Sequence, residues 1–359
     1  MPGKKFIFEK CQRYSKYSQI NPSAIHPLKR IRMKKFFLVF FVFSLLINEF
    51  AHSQTRQDTI NLIKVFKRVF PNISEKDARA FIHSTMGKEP YTLGEDSQKK
   101  EGVPEGSVTR YHWVNKTIYV GTERDYWLYV PREYDSTKPA CLMIFQDGSG
   151  YLADNTHANV VLDNLIYQKE IPVIIGLFIE PGAKGPGLPV YGGNGNRSVE
   201  YDSVSDLYAR FLIEEMIPEI KRQYNITDDP QGRALVGISS GGICAFNAAW
   251  QRPDAFGKVI SHCGSFTSIR GGDKFPDMIR RTPAKPIKVF LQSGEKDLNI
   301  IFGSWALKNK EMAAALEYSG YDYKFVFGEG GHSIKHGAAI LPETLRWLWE
   351  DYPGSIINP

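Results

Sequence analysis

The chain has little cysteine. Cys11, Cys141, Cys244 and Cys263 are the only four in 359 residues. The three that follow the N-terminal leader are an odd number, which excludes a full disulfide framework. Cys141 falls in an apolar run and Cys244 in an alanine-rich one, both places for small buried hydrophobes. One bridge among the three stays open. Nucleotide-binding signatures are also missing. The glycine-rich segment at 182–202, GAKGPGLPVYGGNGNRSVEYD, has no Lys-Ser/Thr, and G-x-G-x-x-G with a following acid is absent, so it is not read as a phosphate cradle. His332 and His336 are four apart, but position 333 is Ser, so the zinc pattern H-E-x-x-H fails and no metal site or organic cofactor is expected. No apolar run reaches the ~18 residues of a membrane span. No internal repeat is visible.

Positive charge is present but unevenly placed. The formal net charge is +6. Ten Lys or Arg against Glu9 and Glu49 fall within residues 1–53, so that stretch alone carries about +8 and the remainder about −2. That balance argues against nucleic-acid binding. Met33, Lys34 and Lys35 precede the apolar run 36–47, and Ala51-His52-Ser53 supplies a small-x-small site, the grammar of a secretory signal peptide whose true start is Met33. No Cys follows the apolar run, so a lipid anchor is not expected. A mature protein in the periplasm or medium, with no stable membrane anchor, is the expectation.

With 42% hydrophobic and 13% aromatic residues, the rest is ample for a buried core. Residues 54–106 read as a helical segment and linker. Ile60, Ile63, Phe66 and Phe70 keep helical spacing up to Pro71, a second helix opens at Ser74 and Asp77 and ends at Gly87, and 88–106 is a polar, flexible connection. Residues 107–353 form the main domain. SVTRYHWV, KTIYVGT and RDYWLYVP suggest antiparallel edge strands. Thereafter the apolar runs 141–145, 173–179, 234–238, 258–262, 288–291 and 324–327 alternate with helical stretches, which implies an α/β fold with a mostly parallel sheet covered on both faces. Function in such sheets collects at the carboxyl ends of the strands.

The stretch RALVGISSGGICAFNAAW meets that rule. Gly237, Ser239 and Gly241 give G-x-S-x-G between a short strand and a helix, where the serine rides a sharp turn that exposes its hydroxyl. A serine needs a base, and the base needs an orienting carboxylate. SGEKDLN follows a later strand with Asp297 as the chosen acid and Glu295 as the alternative; GEGGHSIKHG follows the last strand with His332. The order Ser, Asp, His suits this sheet type. An oxyanion hole needs two N–H donors: one from Ser240, after the nucleophile, and one from the loop of Gly148, Ser149 and Gly150. Tyr151, Tyr191, Arg197 and Tyr201 are candidate residues of a substrate rim; Arg197, Glu200 and Asp202 equally suit a structural charge cluster. A base histidine stops working when protonated, so activity should fall as pH drops through the histidine range at ~6.5.

GISSGG, the DGSGY loop, SGEKDL and the terminal GGHS together resemble the esterase D family of α/β-hydrolases, over residues 111–349. That family takes in enterochelin esterases, feruloyl and acetyl-xylan carbohydrate esterases and the mycolyl-transferring antigen 85 proteins. The resemblance implies Ser239 as nucleophile, Asp297 as acid, His332 as base, and the N–H groups of Ser149 and Ser240 as oxyanion donors. Ser240 departs from a larger apolar residue common in relatives, and Lys335-His336 also departs, which leaves the substrate open. The expectation is a serine esterase acting on a small ester or a polysaccharide-linked one, feruloyl or acetyl. Hydrolysis of a siderophore trilactone, acyl transfer to a sugar alcohol and a non-catalytic binding protein are the alternatives.

Overall fold

The computed structural model describes residues 60–64, 67, 72–183 and 195–353. The leader, Phe66, Phe70 and Tyr191 lie outside them. Ser53–Pro359 is one compact unit. At its centre is a sheet of β1 (Ser107–Val114), β2 (Glu123–Val130), β3 (Cys141–Gln146), β4 (Ile174–Ile179), β5 (Arg233–Ile238), β6 (Lys258–His262), β7 (Lys288–Lys296) and, after a separate hairpin of β8 (Asn299–Ile300) and β9 (Gly303–Ser304), β10 (Tyr323–Gly331). The order is β1-β2-β4-β3-β5-β6-β7-β10. β1 and β2 pair antiparallel, β2 runs antiparallel to β4, and the remaining pairs are parallel.

Because side chains alternate along a strand, each inner strand feeds two cores. Leu142, Ile144, Leu235, Val259 and Leu291 face one layer, while Met143, Phe145, Ala234, Val236, Ile260 and Phe290 face the other. The first core packs α5 (Leu207–Phe211), α6 (Ile217–Lys221), α7 (Ser240–Gln251), α8 (Phe275–Arg281) and α9 (Trp305–Tyr318). The second packs α3 (Ala158–Tyr167) and α11 (Leu341–Trp349). Burial of each large apolar side chain contributes about 1.5–3 kcal/mol, so these layers fix the sheet and hence the loops at its carboxyl edge. The shorter helices are α1 (Glu75–Met86), α2 (Gly148–Tyr151), α4 (Arg197–Tyr201) and α10 (Lys335–Ala339).

Two local expectations differ from the structure. The stretch KTIYVGT is a loop between β1 and β2, because the Glu215 carboxylate gathers the N–H groups of Lys116, Thr117 and Ile118 at 3.1, 3.0 and 2.8 Å. Those amides are therefore unavailable to a neighbouring strand. Residues 88–106 are fastened rather than loose: Asn164 donates to the carbonyls of Asp96 and Gln98, and Gly106 N–H donates to Asp163. Cys141, Cys244 and Cys263 are free and buried. Among the described residues no helix is long and apolar enough to cross a membrane.

Candidate active site

Ser239 stands alone between β5 and α7 with φ 59° and ψ −122°, a backbone conformation that costs a non-glycine residue about 1–3 kcal/mol. The surroundings enforce it. Its N–H donates to the His262 carbonyl at 2.9 Å, and its own carbonyl accepts from Ser265 N–H at 3.0 Å. Gly237 is required two residues earlier, since a Cβ there would collide with the backbone of Gly241. The turn lifts the hydroxyl toward the carboxyl edge of the sheet.

Two loops bring partners to it. His332 follows β10 directly, and its Nε2 lies 2.8 Å from Ser239 Oγ. Asp297 follows β7; its Oδ1 lies 2.6 Å from His332 Nδ1. The carboxylate fixes the tautomer with hydrogen on Nδ1, which leaves the Nε2 lone pair to accept from the serine. Asp297 is itself held by the Ser293 hydroxyl at 2.6 Å and the Leu298 N–H at 2.8 Å. Glu295, the alternative acid, is exposed. The His332 ring meets Phe81 and Trp305 edge-on, each at 5.8 Å between centroids. Cys263 Sγ also comes within 4.8 Å of donor atoms of Asp297 and His332. The 2.6 Å between Nδ1 and Oδ1 is a hydrogen-bond distance, shorter than the ~3.3 Å that separates two ligand atoms bonded at ~2.0 Å to a tetrahedral ion.

The oxyanion side departs from expectation. The Ser240 N–H opens helix α7 and belongs to the first-turn amides that lack an intrahelical acceptor. The Ser149 N–H, by contrast, donates to Glu180 Oε1 at 2.8 Å. Glu180 directly follows β4, and burial, reinforced by the nearby Asp147 carboxylate, raises its pKa. A carboxylate thus competes for one of the two amides assigned to the oxyanion. Replacing Glu180 with Ala should raise kcat/KM on a small neutral aryl ester about tenfold, because one such donor is worth 10²–10³ in rate when free. A fall in kcat/KM would mean that the carboxylate serves turnover.

Arg197 is bound to this loop. Its Nε and Nη2 reach Asp147 Oδ1 and Oδ2 at 2.8 and 2.6 Å, and Nη2 lies 3.5 Å from the Ile238 carbonyl. Asp147 has φ 54°, so the bidentate pair locks a left-handed residue at the start of the loop and ties it to the nucleophile turn. The rim assigned to tyrosines is corrected. Tyr151 and Tyr201 are buried, Tyr151 against Phe145 with its hydroxyl 3.0 Å from His262 Nδ1, and Tyr201 against Tyr208 with its hydroxyl facing Asp147 N–H. Their rings complete the two cores. Tyr191 lies outside the described residues.

Glu200 is structural. It forms a fully buried ion pair with Arg124 at 2.7 Å and also accepts from Gly182 N–H and Asn196 Nδ2. Breaking such a pair typically costs about 3–5 kcal/mol, and through Glu200 this one ties Gly182 to Asn196. Asp202 is buried behind Ser240, its pKa pushed up to about 6 by burial while Arg197 opposes the rise.

Sequence reasoning passed over Glu180, although it sits at the carboxyl end of a recognised strand, where that reasoning places function. It also passed over Ser265. That hydroxyl accepts from Trp305 Nε1 at 3.0 Å and lies 3.3 Å from Ser239 Oγ. Nothing in the local pattern around Ser265 signals this contact.

A family model described as "Putative esterase" matches residues 118–348. The uncharacterized protein YbbA of Bacillus subtilis is 24% identical over 241 residues, 63% of this chain and 92% of that protein. The iron(III) enterobactin esterase of Dickeya dadantii is 24% identical over 248 residues, 65% of this chain and 53% of its own length, so the chain spans about half of that relative. A crystal structure of a ferulic acid esterase from the anaerobic fungus Anaeromyces mucronatus matches with a TM-score of 0.56 at 18% identity, over 71% of this chain and 97% of that one. The last likeness is one of fold, that of the α/β-hydrolases.

Proposed function

The chain belongs to the esterase family and is a carboxylic ester hydrolase, and from that premise we propose that it works through Ser239, His332 and Asp297. The observation that carries the proposal is the unbroken line of contacts from Ser239 Oγ to His332 Nε2 at 2.8 Å and from His332 Nδ1 to Asp297 at 2.6 Å. His332 takes the serine proton as Oγ attacks the ester carbonyl. Collapse of the tetrahedral intermediate breaks the C–O bond, and the imidazolium returns its proton to the leaving alcohol. Water then repeats the sequence on the acyl-enzyme: His332 takes a water proton, hydroxide adds, and Ser239 leaves with the proton restored. Ser240 N–H stabilises the oxyanion in both halves, joined by Ser149 N–H once Glu180 yields it.

The substrate reading is a feruloyl or acetyl ester on a polysaccharide. Phe81, half-buried with its ring edge-on to the imidazole, suits an aromatic acyl group, and the Glu180 carboxyl at the oxyanion loop opposes an anionic ferric siderophore. We read residues 1–53 as a leader removed on export to the periplasm or medium, 54–106 as a helical segment and 107–353 as the esterase domain. The test is a panel of methyl ferulate, acetylated xylan and a catecholate trilactone, run with the Ser239→Ala control. Methyl ferulate should exceed the trilactone in kcat/KM by at least about tenfold, since acyl groups that fill or miss an apolar pocket differ by 10–200-fold. A preference for the trilactone would overturn the substrate reading and leave the nucleophile standing.

A further inference from the structure

The family match begins at residue 118, yet a segment well before it reaches both loops that carry the acid and the base. Ser84, in α1, is buried, and its hydroxyl has one hydrogen, which it donates to the Lys296 carbonyl at 2.6 Å. The same oxygen accepts the backbone N–H of His332 at 2.8 Å. The Ser84 carbonyl lies 3.0 Å from that N–H as well. One hydroxyl therefore joins the residue preceding Asp297 to His332 itself. Gly331 presses against the Ser84 carbonyl with no room for a Cβ.

Further contacts repeat the pattern. Asp77 accepts from Ile301 N–H at 3.1 Å on the acid side. On the base side, Glu89 accepts from the Ser333 hydroxyl at 2.7 Å, and the Tyr91 hydroxyl accepts from Glu329 N–H at 2.9 Å. The Tyr91 ring also stacks on His336 at 3.9 Å. The sheet cannot supply this restraint, because β10 is its edge strand and the register with β7 shifts between Gly328 and Gly331, just before His332.

We propose that residues 75–91 are a working part of the esterase site: a brace that sets the spacing of the acid and base loops, with Ser84 as its positioning residue. Ser84 acts through His332 and Asp297. A misplacement of about 1 Å at a reacting group can cost 10²-fold in rate, so loss of one of several ties should cost less than that. The inference rests on the triad reading above.

The test uses the full chain and a simple aryl ester. Ser84→Ala should lower kcat about tenfold with KM within about twofold, and Ser84→Thr, which keeps the hydroxyl, should recover most of the loss. In an Asp297→Asn background, Ser84→Ala should add little, because the spacing it protects no longer serves a carboxylate. Tyr91→Phe, which removes only a hydroxyl nearer the surface, should lower kcat about threefold and remains measurable if Ser84→Ala fails to fold. An unchanged kcat in the folded variants, or full additivity with Asp297→Asn, overturns the inference. An active Ser239→Ala would instead overturn the triad reading, so the two failures are distinguishable.

Discussion

Ser239→Ala should leave the protein folded and cut turnover of a simple aryl ester by roughly 10⁴–10⁶-fold. Alanine has the same Cβ as serine, so the φ of 59° is no harder to hold, and the two backbone bonds to His262 and Ser265 do not involve the side chain. What disappears is the oxygen that attacks the carbonyl. The lost contacts are those with His332 Nε2 at 2.8 Å and Ser265 Oγ at 3.3 Å, both at the partly exposed floor of the site. Their loss costs about 1 kcal/mol of stability or less. Residual rate would come from binding and from the oxyanion N–H donors. The checks are initial rates on the aryl ester, a melting temperature close to the parent, and loss of labelling by a fluorophosphonate. More than a hundredth of the parental rate in a folded variant would place the nucleophile elsewhere.

What could be read in advance was whatever depends on local chain chemistry. G-x-S-x-G between a strand and a helix is a local solution to one steric problem, so the turn at Ser239 was legible. Asp297 and His332 were legible because strand ends can be located from apolar runs and the carboxyl edge of a parallel sheet gathers such residues. Contacts across the sheet were not. Ser84 meets Lys296 and His332 across more than two hundred residues, and no periodicity records that pairing. Glu180 was an acid at a strand end, but only the fold shows that its oxygen reaches Ser149 N–H. Tyr151 and Tyr201 were misassigned to a rim because a tyrosine near a functional loop looks the same in sequence whether its ring faces solvent or fills a core. KTIYVGT has strand-like composition, and the Glu215 carboxylate overrode it.

The second large effect concerns stability in acid. His262 ends β6 with its side chain fully buried, and burial, with a smaller contribution from the neighbouring His336, pushes its pKa down from 6.5 to about 3. Its other polar neighbour is the Tyr151 hydroxyl, 3.0 Å from Nδ1; Nε2 has no hydrogen-bond partner among the described residues. The folded state therefore holds this ring neutral, while the unfolded chain takes up a proton near 6.5. A group depressed on folding contributes stability that is fully present above the unfolded pKa and is lost as pH falls toward the folded one. At ~1.4 kcal/mol per pKa unit, the loss between pH 6.5 and about 3 is about 4–5 kcal/mol, a large share of an ordinary folding free energy. His262→Gln keeps an acceptor for Tyr151 but cannot titrate. Urea unfolding at pH 7, 5 and 4 should show the parent losing stability more steeply than the variant, with the variant somewhat less stable at pH 7. The His262 carbonyl accepts the Ser239 N–H, so acid strain on this residue reaches the nucleophile turn directly. After incubation at pH 4 and assay at pH 7, the variant should retain more activity than the parent. Because the rate is read at pH 7, the assay registers only the lasting loss of folded enzyme and not a reversible effect of acid on turnover. Equal acid losses in parent and variant would assign the lability to other groups.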